Sequence, residues 1–521
     1  MLKMVDGTGI IGVDMVCPLG GAVSPPQPPN FDKVEMEGVG SLTLPNSLKA
    51  PLERLELTGN SVQGENPAPD NPQEIKSAGR KSKNLLIENI SVFTVQDNIA
   101  YIPLPEGHET KLYTMLIQKK PGENDDVGFT CGFYDKSNMT ATYSAPCLQA
   151  GNLVTGNGII NSKIGANHFV CFSPADSRFF DIYNVMYAEG KETTLDYEPY
   201  GYFFDVKVTG KNLLDMADIQ NENGKIDSDF SKAKSINPFK VIKDRKYLLI
   251  SKGTMIVDVR YSSIYFGEDD LAYRQDSSRK LTTDTGYSCF IGTETRKILV
   301  AKETCTITKT MMHGTITEKD AYEVEELGLF EIINDNPNID YAPYTEQFAK
   351  IVLDEPLRGI GEYKDVLTKD GVARKIKRIV FDGSKDEKWD IAIERENVIN
   401  FVSTQFSDAI KINEHQRSMM DKLKWSSGVW GRDEVGQDMF ARILRMNMPK
   451  TLTPDLQTFK TWLSQNPLTV DYVLAEPVTE PLPESVQDQL SALHSENGTT
   501  HVFVDSGEVP CGIKLTYRKE K

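Results

Sequence analysis

The sequence is poor in the groups on which metal binding and catalysis most often draw. Among 521 residues there are six His, none in a His-x3-His arrangement. The seven Cys (Cys17, Cys131, Cys147, Cys171, Cys289, Cys305 and Cys511) are odd in number and irregularly spaced, with no Cys-x2-Cys pair. The common zinc signatures are thereby excluded. A disulfide framework is not expected either, which points to maturation in a reducing compartment. Long apolar runs are missing: no stretch approaches the roughly 20 residues that a membrane-spanning helix needs. Residues 7–23 look faintly like a signal core, but Asp14 interrupts them and the charged-then-apolar layout is absent. Positive charge is in deficit, with 58 Lys+Arg against 75 Asp+Glu and a net charge of −17. Wrapping a phosphate backbone needs the opposite balance. The expectation is a soluble chain made in a cytoplasm, with no nucleic-acid partner and no membrane insertion. There is also no Gly-x-Ser-x-Gly elbow, no Walker phosphate loop and no dinucleotide fingerprint.

The composition that remains is globular, 39% hydrophobic and 26% charged, and the length suits about three or four domains. Ser24-Pro25-Pro26-Gln27-Pro28-Pro29 reads as a stiff polyproline spacer. Residues 59–79, with Asn66-Pro67-Ala68-Pro69-Asp70-Asn71-Pro72, read as an extended, solvent-facing connector. Between them, Val34, Met36, Val39, Leu42 and Leu44 alternate with one slip near Gly38, which predicts a two-stranded hairpin with a Gly bulge.

An internal repeat organises the middle of the chain. Lys83-Asn84-Leu85-Leu86 recurs as Lys211-Asn212-Leu213-Leu214, and Leu195-Asp196-Tyr197-Glu198-Pro199-Tyr200 recurs as Ile339-Asp340-Tyr341-Ala342-Pro343-Tyr344. The spacing, about 130 residues for the opening words and about 145 for the closing ones, is that of a duplicated domain and not of a solenoid. Asn84 and Asn212 are turn-capable residues ahead of buried apolar ones, as at the start of a strand. The Tyr-x-Pro-Tyr words suit a last or edge strand, since Pro lacks the ladder donor. Tyr197, Tyr200, Tyr341 and Tyr344 are expected to cover the end of a core.

Within the repeats the pattern is strand-like and turn-rich. Strands are predicted at 112–117, 127–134, 168–172 and 184–187, then at 247–251, 255–261, 289–291 and 297–301. Short strands at close spacing predict β-sandwiches. From about Phe348 the pattern changes, and all four Trp (Trp389, Trp425, Trp430, Trp462) lie there. Strands are predicted at 375–381, 389–395, 398–402, 439–444, 470–474, 501–504 and 513–517. One helix should start at Thr453-Pro454 and carry Leu456, Phe459, Trp462 and Leu463; a second should carry Val486, Leu490 and Leu493. The fold class is therefore mainly β and multi-domain, with tandem jelly-roll-like β-sandwiches and a few short helices near the C-terminus. The boundaries read as 1–30, an N-terminal attachment segment and Pro-rich spacer; 31–82, a β-hairpin and extended connector; 83–204 and 205–345, two jelly-roll-like modules; and 346–521, a C-terminal β-rich module.

Several words then carry a family resemblance. Gly59-Asn60-Ser61-Val62-Gln63, with Asn71-Pro72-Gln73-Glu74-Ile75-Lys76-Ser77-Ala78-Gly79, resembles a segment of tail and tail-fibre proteins from phages and prophages of Gram-positive bacteria. The Asn-Leu-Leu openings and Tyr-x-Pro-Tyr closings are similar to those of the carbohydrate-binding-module-like jelly rolls such proteins carry. Pro356-Leu357-Arg358-Gly359-Ile360, Phe381-Asp382-Gly383-Ser384 and 475–483 resemble their distal modules. The resemblance covers roughly residues 31–521. It implies a virion structural protein of the tail tip, baseplate or fibre, without catalytic residues. It also implies assembly as a homo-oligomer, commonly a trimer, contacts with other tail or baseplate proteins, and attachment to host cell-surface polysaccharide.

For a sugar, the best-suited residues are Trp425, Trp430, Arg432 and Asp433, in a Gly- and Ser-rich stretch that pairs aromatic faces with polar neighbours. Trp389 and Trp462 are expected in the core. No cofactor is implied. A structural calcium ion is the one metal to consider, at the polar loop Asp382-Gly383-Ser384-Lys385-Asp386-Glu387, which reads first as a turn between two strands. The alternative function is a glycan-degrading enzyme with accessory carbohydrate-binding modules. It would need two carboxylates about 5–10 Å apart across a sugar, a pairing that sequence does not reveal.

Overall fold

The computed structural model describes residues 31–86 and 197–520, apart from 228–229, 256–261, 273–274, 284–288, 292–293, 315–318 and 412–417; between 87 and 196 it describes eight strands. The predicted N-terminal attachment segment and spacer, 1–30, lie outside the described residues, as does most of the strand predicted at 255–261. The fold is mainly β, built from several separate sheets, with two α-helices among the described residues.

At the centre is a base made of two sheets, drawn from segments scattered over the whole chain. The first has seven strands in the order Phe31–Val39, Gly512–Glu520, Arg54–Thr58, Val366–Thr368, Gly371–Phe381, Leu468–Glu480 and Met419–Met420. The second runs Ser41–Ser47, Gly498–Asp505, Tyr202–Thr209 and Glu346–Leu353, with the short Arg80–Lys81 also paired to Tyr202–Thr209. Alternate residues of both sheets point inward. Leu42, Leu44, Leu57, Phe204, Val206, Val208, Ile351, Val502, Ile513 and Leu515 meet in one buried core. The helix Glu484–Ala492 adds Val486 and Leu490 to it.

This base alters the linear reading of the chain. Phe31–Val39 and Ser41–Ser47 are not a hairpin ladder. They belong to different sheets, and the chain turns a corner between them at Gly40, whose φ is +66°. Gly38 is needed beside it, because a Cβ there would lie 2.4 Å from the Ser41 carbonyl oxygen. Phe31–Val39 instead pairs with Gly512–Glu520, in register from Phe31↔Glu520 to Val39↔Gly512. The segment 59–79 is exposed over much of 62–74, as expected, but it is not a free extended connector, since Ser61–Val62 pairs with Lys76–Ser77. Ile75 and Ala78 are buried, Ala78 bridges Leu357, and Gln73 N–H donates to the Asp421 carbonyl (2.6 Å). Unpaired backbone in contact with a core is costly, and these bonds remove that cost.

Three modules are inserted into the base, each between strands that are themselves paired. The first lies between Arg80–Lys81 and Tyr202–Thr209, the second between Tyr202–Thr209 and Glu346–Leu353, and the third between Gly371–Phe381 and Leu468–Glu480. The strand 202–209 thus belongs to the base and not to either jelly roll. The stretch 346–521 is likewise not one module, since its two ends build the base. The first module has a five-stranded and a three-stranded sheet, and the second has two four-stranded sheets. Phe239, Phe266, Ile307 and Met312 from one sheet of the second module face Tyr247, Leu249, Leu299 and Leu329 from the other. That arrangement is a β-sandwich.

The repeated words are necks, neither strand starts nor edge strands. Asn84 Nδ2 donates to the Glu198 carbonyl (3.0 Å) and Asn212 Nδ2 to the Ala342 carbonyl (3.1 Å). Each Asn oxygen accepts the N–H two residues on, from Leu86 (3.0 Å) and Leu214 (3.1 Å). Both Asn side chains are buried. Tyr197 packs on Met186 and Ala188. Tyr341 meets Phe330 edge-on at 6.2 Å, and the Tyr344 hydroxyl donates to Glu346. Tyr200 is half-buried in the same bend. The Pro of each word falls where the chain leaves the module, outside any ladder.

The third module packs one face of the sheet Trp389–Glu394, Val398–Ser403, Ile443–Pro449 and Gly436–Phe440 against the helix Leu456–Gln465. Trp389, Phe401, Phe459 and Trp462 are in this core, as the sequence predicted for both Trp. Asp455 caps the helix by accepting Thr458 N–H (2.7 Å), two residues after the predicted Thr453. The strand predicted at 439–444 is a reversal, with Ala441 and Arg442 both at positive φ.

Candidate functional site

The face of that sheet opposite the helix is covered by its own loop, 424–436. Three polar side chains, Asn400, Asp438 and Asn447, rise from this face and are fully buried beneath it, while Gln437, level with Phe401 and Met446, belongs to the helix side. The Asp438 carboxylate accepts the N–H of Gly428 (2.9 Å) and of Val429 (3.1 Å). Asn447 Nδ2 donates to the carbonyls of Val429, Arg432 and Glu434 (2.9, 2.9 and 3.0 Å). Its two hydrogens serve three acceptors, so one is shared. Asn447 Oδ1 in turn accepts from Asn400 Nδ2 (2.7 Å). Gln437 exchanges hydrogen bonds with Ser418. Gly428, at φ +74°, lets the chain bend into the short turn Val429–Gly431, and Val429 plugs the space below. The loop is therefore held along its length by groups that would be costly to leave unpaired.

On top of this frame stands Trp430, 41% exposed. The Arg445 guanidinium lies 5.1 Å from its ring centroid and 4.6 Å from that of Phe440, giving a Trp–Arg–Phe stack. Arg395 Nη2 donates to the Trp430 carbonyl (2.6 Å). Of the four residues expected at a sugar site, Trp430, Arg432 and Asp433 share this exposed loop, while Trp425 is half-buried at its start and bridges Gln437. Asp433 also braces the loop, since its two oxygens accept Asn397 N–H (3.0 Å) and Asn397 Nδ2 (2.8 Å). Arg395, Asn397, Phe440, Arg445 and Asn447 were not singled out from the sequence. Arg395 and Asn397 lie in the turn before Val398–Ser403, and Phe440, Arg445 and Asn447 on the two strands that follow the loop; only the two Trp carried a local signal.

The Asp382–Glu387 loop joins two strands, as expected. The N–H of Ser384 on Asp382 Oδ1 (3.0 Å) holds that carboxyl below its ordinary range. Glu387 accepts the N–H of Asp382 and Gly383 with one oxygen and the Trp389 indole N–H with the other. These two carboxylates thus serve the turn itself. Among the described residues no group of three metal-ligating side chains is gathered.

What the loop can do chemically is limited and definite. It offers one fixed aromatic ring flanked by guanidinium, amide and carboxylate groups, suited to stacking on the apolar face of a sugar ring while hydrogen bonding its hydroxyls. No protein-family model matches the chain, and no curated protein does. Solved structures give only remote similarity. One is the VP2 protein of infectious bursal disease virus in derived T=1 particles, at 7% identity over 94% of this chain and 78% of that chain, with a TM-score of 0.10. Another is the VP2 subviral particle of the same virus, at 6% identity over 94% and 81%, with a TM-score of 0.11. Scores this low carry no argument about fold or function.

Proposed function

We propose that the chain is a structural subunit of a phage tail tip, baseplate or tail fibre, assembling as a homo-oligomer, and that its third module contributes to attachment to host-surface polysaccharide. The observation that carries the attachment part is the Trp430 loop, an exposed aromatic held rigid by buried polar side chains, with charged and amide groups around it. The virion part rests on the family words in their order along the chain. A single aromatic platform binds sugar weakly, and several copies on one particle gain from high effective concentration. A trimer would supply those copies. The acidic surface suppresses non-specific adhesion during assembly in the host cytoplasm.

Immunogold electron microscopy of phage particles tests the placement; label on the tail is expected, and a protein found free and absent from tails refutes it. Binding of the full chain to purified host cell-wall polysaccharide, with and without Trp430→Ala, tests the site. Loss of most binding is expected, and unchanged binding refutes it. The same incubation addresses the enzymatic alternative, because released reducing ends would favour a glycan-degrading activity.

A further inference from the structure

The outer face of the five-stranded base sheet is covered by the second module, and this joint contains a histidine. His501 stands on Gly498–Asp505 between Thr43 and Thr209 of the neighbouring strands. Lys207 sits on the same face, its Nζ donating to the Pro238 carbonyl of the second module. From that module Glu331 approaches His501 Nδ1 at 3.8 Å, and Arg245 pairs with Glu331. Thr43 Oγ1 lies 3.3 Å from both Glu331 Oε2 and His501 Nδ1. If the Thr43 hydroxyl donates to the carboxylate, it accepts from Nδ1–H, which assigns the neutral tautomer with its proton on Nδ1. His501 Nε2 is then a buried acceptor with no hydrogen-bond partner among the described residues. The ring borders a narrow space of about 30 Å³ lined also by Lys207, Lys240, Phe239 and Phe503.

The charges facing this ring are unfavourable to a second proton. Arg245, Lys207 and Lys240 bring positive charge, and the one carboxylate in contact range, Glu331, is already engaged by Arg245. Asp244 adjoins Arg245, Asp218 acts on Lys207, and Glu346 lies in the same cross-strand row beyond Thr209. A protonated ring would bury an Nε2–H donor with no protein acceptor in reach among the described residues, inside a joint already rich in cations.

We propose that the seating of the second module on the base is an acid-released joint, opened by protonation of His501. The inference is independent of the glycan reading, since it concerns a different module and face. Burial moves His501 from the ordinary imidazole value of 6.5 down to about 4. The seated state holds the neutral ring, so seating is fully supported above pH 6.5 and is lost as the pH falls toward 4. Between pH 7.5 and pH 5 the seated-to-open equilibrium shifts by roughly thirtyfold.

Hydroxyl-radical footprinting of the full-length chain reads this directly, because unseating uncovers side chains at the joint while the ladders on either side of it stay bonded. Labelling of Phe503, which lines the joint, should rise by up to roughly thirtyfold at pH 5 relative to pH 7.5, while that of Trp430 in the third module stays level. His501→Gln and His501→Asn, both neutral at every pH, should remove the difference. A flat native profile, a rise shared equally by the third module, or a rise that persists in either folded variant overturns the proposal. If neither variant folds, the native profile decides alone: a midpoint between pH 4 and 6.5 confined to the joint supports it, and a uniform rise overturns it.

Discussion

Replacing Asn212 by Ala tests the neck of the second module. The Asn212 side chain is 1% exposed. Its oxygen accepts the N–H of Leu214 (3.1 Å) and of Leu329 (3.0 Å), and its amide donates to the carbonyls of Ala342 (3.1 Å) and Leu327 (3.5 Å). The substitution removes all four bonds, the one to Leu327 being long, and leaves backbone groups buried without partners. Each net bond is worth about 1 kcal/mol, and each stranded group adds to that, for a total of about 3–5 kcal/mol. If the neck opens as a unit, amides of 213–214 and 342–345 should exchange at least about a hundredfold faster. Asn212→Asp keeps both acceptor bonds but sets a carboxylate oxygen against the Ala342 carbonyl, so about half the loss is expected. Asn84→Ala should act in the same way on the first module and leave the second untouched. Hydrogen exchange by mass spectrometry, with calorimetry of the whole chain, resolves these cases. A change in Asn212→Ala below about 0.5 kcal/mol, the size of an ordinary surface substitution, would refute the reasoning. So would an equal loosening of both modules.

Further outcomes follow from the same geometry. Asn447→Leu removes the donor to three carbonyls of the 424–436 loop, and should abolish polysaccharide binding with Trp430 still present while costing about 3 kcal/mol in thermal unfolding. Trp430→Ala should cost about 1 kcal/mol, because it removes a half-exposed ring together with its stacking on Arg445. Gly383→Ala should destabilise the third module by about 2 kcal/mol or more in a denaturant titration, since φ is +76° and a Cβ would meet the Lys460 carbonyl at 2.2 Å. At Glu198, burial raises the carboxyl pKa, but Lys83 N–H and Arg80 outweigh it, leaving the group below its ordinary value of 4.5. The contribution of Glu198 to the first neck is thus present above pH 4.5 and lost as the pH falls below it; Glu198→Gln should flatten that limb of a proteolysis profile.

Much of the fold was legible in local pattern. Strand-like runs placed 247–251, 375–381, 389–395 and 398–402 on the observed strands Lys246–Met255, Gly371–Phe381, Trp389–Glu394 and Val398–Ser403. Leu456, Phe459 and Leu463 marked a helix by their spacing. What could not be read was who pairs with whom. Val34 and Met36 alternate as any half-buried strand does, and nothing in them names Tyr517 and Leu515 as partners nearly five hundred residues away. Nothing local announces burial of Lys207 and Thr209, yet both are buried because a module folds back over them. At the candidate site Trp425 and Trp430 stood out by residue type. Asp438 and Asn447, which hold the loop, look in the sequence like ordinary surface residues, and their roles follow from tertiary placement alone.

The paired necks also determine how the molecule takes a mechanical force. Tyr202–Thr209 runs from the neck of the first module to that of the second, a span of about 24 Å at strand rise. It is bonded on one side to Gly498–Asp505 and on the other to Glu346–Leu353. A pull between the two modules is carried along this strand, where antiparallel hydrogen bonds lie perpendicular to the load and resist it together in shear. Each module hangs from two chain ends tied to one another by Asn84 or Asn212, so the tension bypasses its core. The base stretches as a tendon, and the modules ride on it folded.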